Sequence, residues 1–169
     1  MDHQTYLHEL EKNVSIIRQL CSDLSDEQAR VKPQENKWSI LEVINHLADE
    51  EKDDFRIRLD ITLHDPDGEW PPIDPQGWAR DRQYNQRSLG ESLQRFERER
   101  RYSMQWLKGL RDPRWESGYI HPRIGELRAG DILAAWLAHD YLHIRQLAGL
   151  RVTILQTEVA PFHTRYATP

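Results

Sequence analysis

Leu7, Leu10, Val14, Ile17, Cys21 and Leu24 recur at alternating steps of three and four, with Glu9, Glu11, Lys12 and Arg18 between them. That spacing draws one apolar stripe along a 3.6-residue helix and cannot line a single face of a strand. It predicts an amphipathic helix from Thr5 to about Ser22. Three more stripes follow. Ile40, Val43, Ile44, Leu47, Phe55 and Leu59 carry the second to about Leu63, and Leu89, Leu93, Phe96, Ser103, Leu107 and Leu110 mark the third, which Asp112-Pro113 ends. Ile132, Leu133, Trp136, Leu137, Ile144, Leu147 and Leu150 give the fourth, opened by Asp131 and loosened at Gly149. A stripe is stable only when buried against another, and no alternating pattern is long enough for a sheet. The chain therefore predicts an all-α four-helix bundle.

Local signals mark the joints. Ser25 and Gln28 have a capping-box spacing, and Pro33 prevents the first helix from continuing. Ser39 reads as the N-cap of the second helix, with Glu42 completing a capping box and Trp38 and Val43 forming a hydrophobic staple. From His64 to Gln83 the chain holds Pro66, Pro71, Pro72, Pro75, Gly68 and Gly77 beside Trp70 and Trp78, which predicts a packed, non-helical crossover loop. A second long connection runs from Arg111 to Arg128. With 169 residues the expectation is one domain, 1–169, with a core over about 5–150 and a tail at 151–169. Val152, Ile154 and Leu155 of that tail suit docking on the bundle or on another subunit, so a homodimer is expected.

Composition narrows the function classes. The net charge is −5, and the arginines between Arg80 and Arg101 alternate with Asp81, Glu91, Glu97 and Glu99, which describes a solvated helix face and no nucleic-acid binder. No apolar run approaches the roughly 18 residues of a membrane span, and Met1 to Leu10 lacks a signal peptide's basic start and apolar core. No membrane partner and a cytoplasmic location are the expectation. Cys21 stands alone, which excludes internal disulfides and multi-thiolate metal sites. A metal site here must use histidine and carboxylate.

Histidines fall where a bundle core should be apolar. At 100° per residue, His139 and His143 lie within roughly 40° to 70° of the centre of the fourth inward arc, on one face and one turn apart, so two ring nitrogens can meet one cation. Asp140 falls in the same arc, and a buried carboxylate needs a partner. A histidine ring N–H on a neighbouring helix, in support of a metal ligand, is one candidate, and an arginine such as Arg58 is the other. On the second helix His46 sits at the stripe margin, one turn before Glu50, and supplies the third ligand. Glu50 is the candidate general base or extra ligand, with Asp49 the weaker one; Gln146 and Tyr141 are candidate cleft polar groups.

The run Trp38-Ser39-Ile40-Leu41-Glu42-Val43-Ile44-Asn45-His46-Leu47-Ala48 and the run His139-Asp140-Tyr141-Leu142-His143-Ile144-Arg145-Gln146 resemble the DinB-like superfamily, including its YfiT-like branch of metal-dependent hydrolases. Ile73 to Arg80 and Gly125-Glu126-Leu127 are similar to that family as well, and the resemblance covers roughly residues 5 to 150. It implies an up-up-down-down-type four-helix bundle with long crossover loops. It also implies a divalent metal, zinc or nickel, on three histidines, which map here onto His46, His139 and His143. The activities it implies are hydrolysis, or S-transfer with a low-molecular-weight thiol, on a small-molecule substrate. Three imidazoles leave a coordination position open, the pattern of a catalytic site, where a divalent ion can lower the pKa of water or a thiol. The alternative is a metal-binding helical-bundle module without catalysis. A third reading, a variant of the zinc-protease pattern His-Glu-x-x-His, has Asp140 where the longer glutamate is needed.

Overall fold

The computed structural model describes residues 2–167. The first stripe forms α1 (His3–Cys21), capped by Asp2, which accepts from the Thr5 N–H at 2.8 Å. A one-turn helix, α2 (Asp26–Ala29), carries the Ser25–Gln28 capping box. The reciprocal Ser39–Glu42 bonds, at 3.2 and 2.9 Å, then open α3 (Ile40–Asp49). This helix continues without a break through a π-helical turn (Glu50–Phe55) into α4 (Arg56–His64), making one long rod with a widened turn in its middle. The third and fourth stripes are α6 (Leu89–Gly109) and α7 (Ala129–Glu158).

Two core clusters fix the direction of the rods. At one end, Ile17 and Cys21 from the close of α1 pack with Ile40 to Ala48, with Leu89, Leu93 and Phe96 at the start of α6, and with Leu147, Leu150 and Ile154 late in α7. At the other end, Leu7 and Leu10 meet Leu59 and Leu63 of α4, Met104 and Leu107 late in α6, and Ile132 to Leu137 early in α7. The order is therefore up-down-down-up, in place of the up-up-down-down order the resemblance implied. The connections show why. Residues 22–39 reverse the chain at one end, whereas residues 65–88 must travel the length of the bundle so that α6 can start beside the start of α3.

Three elements depart from the sequence expectations. The crossover is partly helical: α5 (Pro75–Asp81) begins with its proline at the first turn, where a missing N–H costs nothing, and Asp74 caps it through the Gly77 N–H at 2.9 Å. Glycine permits this close cap, since a Cβ at position 77 would stand 2.0 Å from the Asp74 carboxylate. A 3₁₀ turn at Tyr84–Gln86 follows. In the second connection, β1 (Gly118–His121) pairs antiparallel with β2 (Gly125–Arg128), four residues each and too short to show an alternating pattern. Gly125 takes a left-handed φ of 81° at the turn between them. Finally, α7 passes through Gly149 to Glu158, because Leu150 and Ile154 extend its buried stripe; residues 151–158 are helix and not tail. No helix among the described residues is long and apolar enough to cross a membrane.

Candidate metal centre

His46 stands on the inner face of α3, and His139 and His143 face it from α7. His46 Nε2 lies 3.2 Å from His139 Nε2, which in turn lies 3.1 Å from His143 Nε2, and the three ligand atoms all fall within 4.8 Å of one another. Aromatic rings close around them. Trp38 packs on His46 at 4.7 Å between centroids and stacks over His143 at 6.5 Å, while Phe55 meets His139 edge-on at 5.2 Å. Trp38 thus has a second role besides the staple that its place before Ser39 suggests.

The distal nitrogens show which lone pairs are free. The Gln146 amide oxygen accepts from His143 Nδ1 at 2.8 Å, which puts that ring's proton on Nδ1 and leaves Nε2 bare toward the cluster. His46 Nδ1 is buried without a hydrogen bond, its nearest acid being Glu50 Oε1 at 3.5 Å. Nitrogens bound to one ion at about 2.1 Å with angles near tetrahedral or octahedral stand about 3.0 to 3.4 Å apart. The two Nε2–Nε2 separations fall in that range, and a set of three imidazoles suits a borderline divalent ion. The donor set fits a metal.

Electrostatics keep the rings neutral. Burial, then the neighbouring His143 and His139, push the His46 pKa down to about 2; burial, His143 and Arg100 push His139 down to about 3; burial lowers His143 as well. Neutral imidazole is the form that ligates. Beside them, burial raises Glu50 to about 9, helped by a hydrogen bond with Asp54. The π-turn is what lets Glu50, Glu51 and Asp54 all face inward, since its wider turn changes the angular step between successive side chains.

The structure brings the three predicted histidines together and separates them from some of their expected companions. Glu50 approaches the ring nitrogen of His46 that points away from the cluster, behind a ligand and not in front of a reacting centre. Asp49 is wholly buried under Arg82, Arg95 and the Tyr84 hydroxyl. Asp140 touches no histidine through a hydrogen bond: its oxygens take Arg100 Nη1 and Nη2 at 2.8 and 2.7 Å and Asn13 Nδ2 at 3.2 Å. Its arginine is Arg100, not Arg58, which pairs with Asp54 at 2.6 Å. Of the cleft candidates, Gln146 holds His143, whereas the exposed Tyr141 donates to Glu9 at 2.6 Å, away from the cluster. Glu51, Asp54 and Arg100 are buried charges that sequence reasoning missed.

A four-helix bundle with histidines converging between its second and fourth rods defines a class: the chain belongs to the DinB superfamily, whose family model matches residues 9–147. Among particular proteins it is similar to one from Oceanobacillus iheyensis that bears the name "Putative metal-dependent hydrolase", 24% identical over 145 residues, covering 86% of this chain and 83% of that one. It is also similar in structure to YfiT from Bacillus subtilis, described as a probable metal-dependent hydrolase with an unusual four-helix bundle topology. The TM-score is 0.77 at 20% identity, over 88% of this chain and 85% of that one.

Proposed function

We propose that this protein is a metal-dependent hydrolase of a small molecule, with His46, His139 and His143 holding one divalent ion, zinc or nickel. The observation that carries the reading is the convergence of three neutral Nε2 atoms between α3 and α7. The names of the two relatives point the same way. A divalent ion there supplies Lewis acidity toward a carbonyl or phosphoryl oxygen and lowers the pKa of water or of a thiol.

The chain's own residues supply positioning. Gln146 fixes the tautomer and rotation of His143, while Glu50 Oε1 stands 3.5 Å from His46 Nδ1, near enough to accept from it after a small shift, an orienting role proposed in place of the general-base role expected from sequence. Trp38 and Phe55 narrow access to the rings and exclude bulk water, which strengthens every polar interaction inside. Burial raises Glu50 to about 9, so the residue beside His46 is a protonated acid at neutral pH.

Elemental mass spectrometry on untagged protein tests the reading. About one equivalent of zinc or nickel is expected in the wild type and almost none in His143→Ala. Absence of metal from the wild type after incubation with either ion and removal of the excess removes the basis for hydrolysis. Given metal, turnover of small esters and amides separates the hydrolase from a non-catalytic metal-binding module, and the same assay with an added low-molecular-weight thiol reports S-transfer.

A further inference from the structure

Beside the histidine cluster lies a cleft whose lining is both aromatic and cationic. A cavity of about 450 Å³ opens between the crossover segment and the β1–β2 hairpin, walled by Trp70, Pro71, Tyr119, His121, Arg123 and by Arg58 of α4. A second cavity of about 190 Å³ shares Arg58, Trp70 and His121 with it and extends to Phe55, Ile132 and Ala135. Three shared walls place the two side by side. At the inner end Phe55 is the wall that separates the cavity from His139, with ring centroids 5.2 Å apart, and Ala135 stands one turn before His139 on α7; none of the three histidines lines either cavity, so a movement of the Phe55 ring would join it to the cluster. The larger cavity has the size of an ordinary small-molecule site.

The charges along this cleft are unequal. No carboxylate lines the outer cavity. Arg58 is neutralised by Asp54, but the Arg123 guanidinium has no ion-pair or hydrogen-bond partner among the described residues. His121 Nδ1 accepts from the Arg123 backbone N–H at 3.2 Å, so in the neutral ring the proton sits on Nε2 as a free donor. The walls between are mostly apolar and planar, and the two carboxylates of the inner cavity are already paired, Asp54 with Arg58 and Asp131 with Arg128. Trp70 stacks on Tyr119 with centroids 4.2 Å apart and rings 8° from parallel, and its indole N–H is buried without an acceptor. A buried donor left unpaired is costly, and a ligand acceptor relieves it. Ile124, at the hairpin turn, lines the inner cavity while 66% exposed, leaving apolar surface to be covered.

The geometry points to a substrate class for the hydrolase reading, on which this inference rests: a small molecule with an apolar, aromatic body against Trp70 and Phe55 and an anionic terminus such as a carboxylate. Arg123 and His121 hold the anion at the hairpin end, and the reacting group lies at the histidine end. Neutralisation by a charged donor in a partly enclosed cleft gives the carboxylate its advantage over a neutral analogue.

Calorimetric titration with 4-phenylbutyrate and with 4-phenylbutanol, which share a body and differ in charge, tests this on the purified protein. The expected result is about tenfold tighter binding of the carboxylate, the size of one charge-assisted hydrogen bond. Arg123→Ala, at an exposed turn, should abolish that preference, and His143→Ala should keep it. Any other pattern overturns the proposal: equal affinities, no binding of either compound at millimolar concentration, or a preference that survives Arg123→Ala or is lost in His143→Ala. Loss in His143→Ala alone places the carboxylate on the histidines. Metal content of the same samples reports separately on the hydrolase reading, since the preference without metal leaves the anion cleft standing and removes that reading alone.

Discussion

A single guanidinium joins all four long rods. Arg100, on α6 and 1% exposed, donates to the Leu10 carbonyl of α1 at 2.7 Å, to Glu51 of the π-turn at 2.8 Å and to both oxygens of Asp140 on α7. Trp136 Nε1 also donates to Glu51, at 2.7 Å. Arg100→Met strands two buried carboxylates, and urea unfolding should show a loss of about 3–5 kcal/mol; a loss below 1 kcal/mol would contradict the network. For Glu50→Leu, which removes the acceptor beside His46 Nδ1, the orienting role predicts a 10- to 100-fold fall in metal affinity with the fold retained. Unchanged metal affinity with a shifted pH profile of turnover would restore the general base. The sequence shows Asp140 as a buried carboxylate in an apolar arc, yet hides its partner. Arg100 sits among Arg95, Arg98 and Arg101 in a run of alternating charge, and the only clue is that it fills the empty place in the stripe between Phe96 and Ser103.

At the level of elements, caps were legible and the widened turn was not. The Ser39–Glu42 box is present at the position its spacing predicts, and Ser39→Ala should lower stability by about 1 kcal/mol in thermal or urea unfolding. The π-turn leaves an apolar stripe intact on either side of it, so periodicity reads straight through. Deleting the exposed Lys52 removes the extra residue that the turn absorbs, so an ordinary helix can join α3 to α4 with both apolar faces kept, while the wider steps that turn Glu50, Glu51 and Asp54 inward are lost. The variant should keep a cooperative melt but lose stability as Glu51 is drawn away from Arg100, read by urea unfolding. Unchanged stability would show that the turn is dispensable. Proline and glycine density concealed α5, because proline at a helix start and glycine under a cap are tolerated where mid-helix they are not.

For the molecule as a whole, burial of the histidines and of Glu50 makes stability depend on pH from both sides. Unfolded imidazoles take protons below about pH 6.5, while His46 and His139 resist until about 3 or lower, so the metal-free protein loses stability as pH falls. Unfolded Glu50 ionises above about pH 4.5, whereas the folded protein holds its proton to about 9, which removes stability as pH rises. With two histidines outweighing one glutamate below pH 6.5, the melting temperature of chelator-treated protein should peak near that pH. A monotonic rise to pH 9 would contradict a protonated, buried Glu50. The bundle class and the histidine triad were legible in the stripes and the two motifs; the order of the rods was not, because stripes carry no direction.

That order has a consequence for how the molecule is made. His46 and His139 are 93 residues apart, and the helix that closes the core is also the one that delivers two of the three rings. While the earlier rods emerge from the ribosome, His46 waits beside an open groove with no ligand set. Docking of α7 then completes the core and the histidine cluster in one event. If the triad binds an ion as proposed, its acquisition is a chemical receipt that the last long helix is in place.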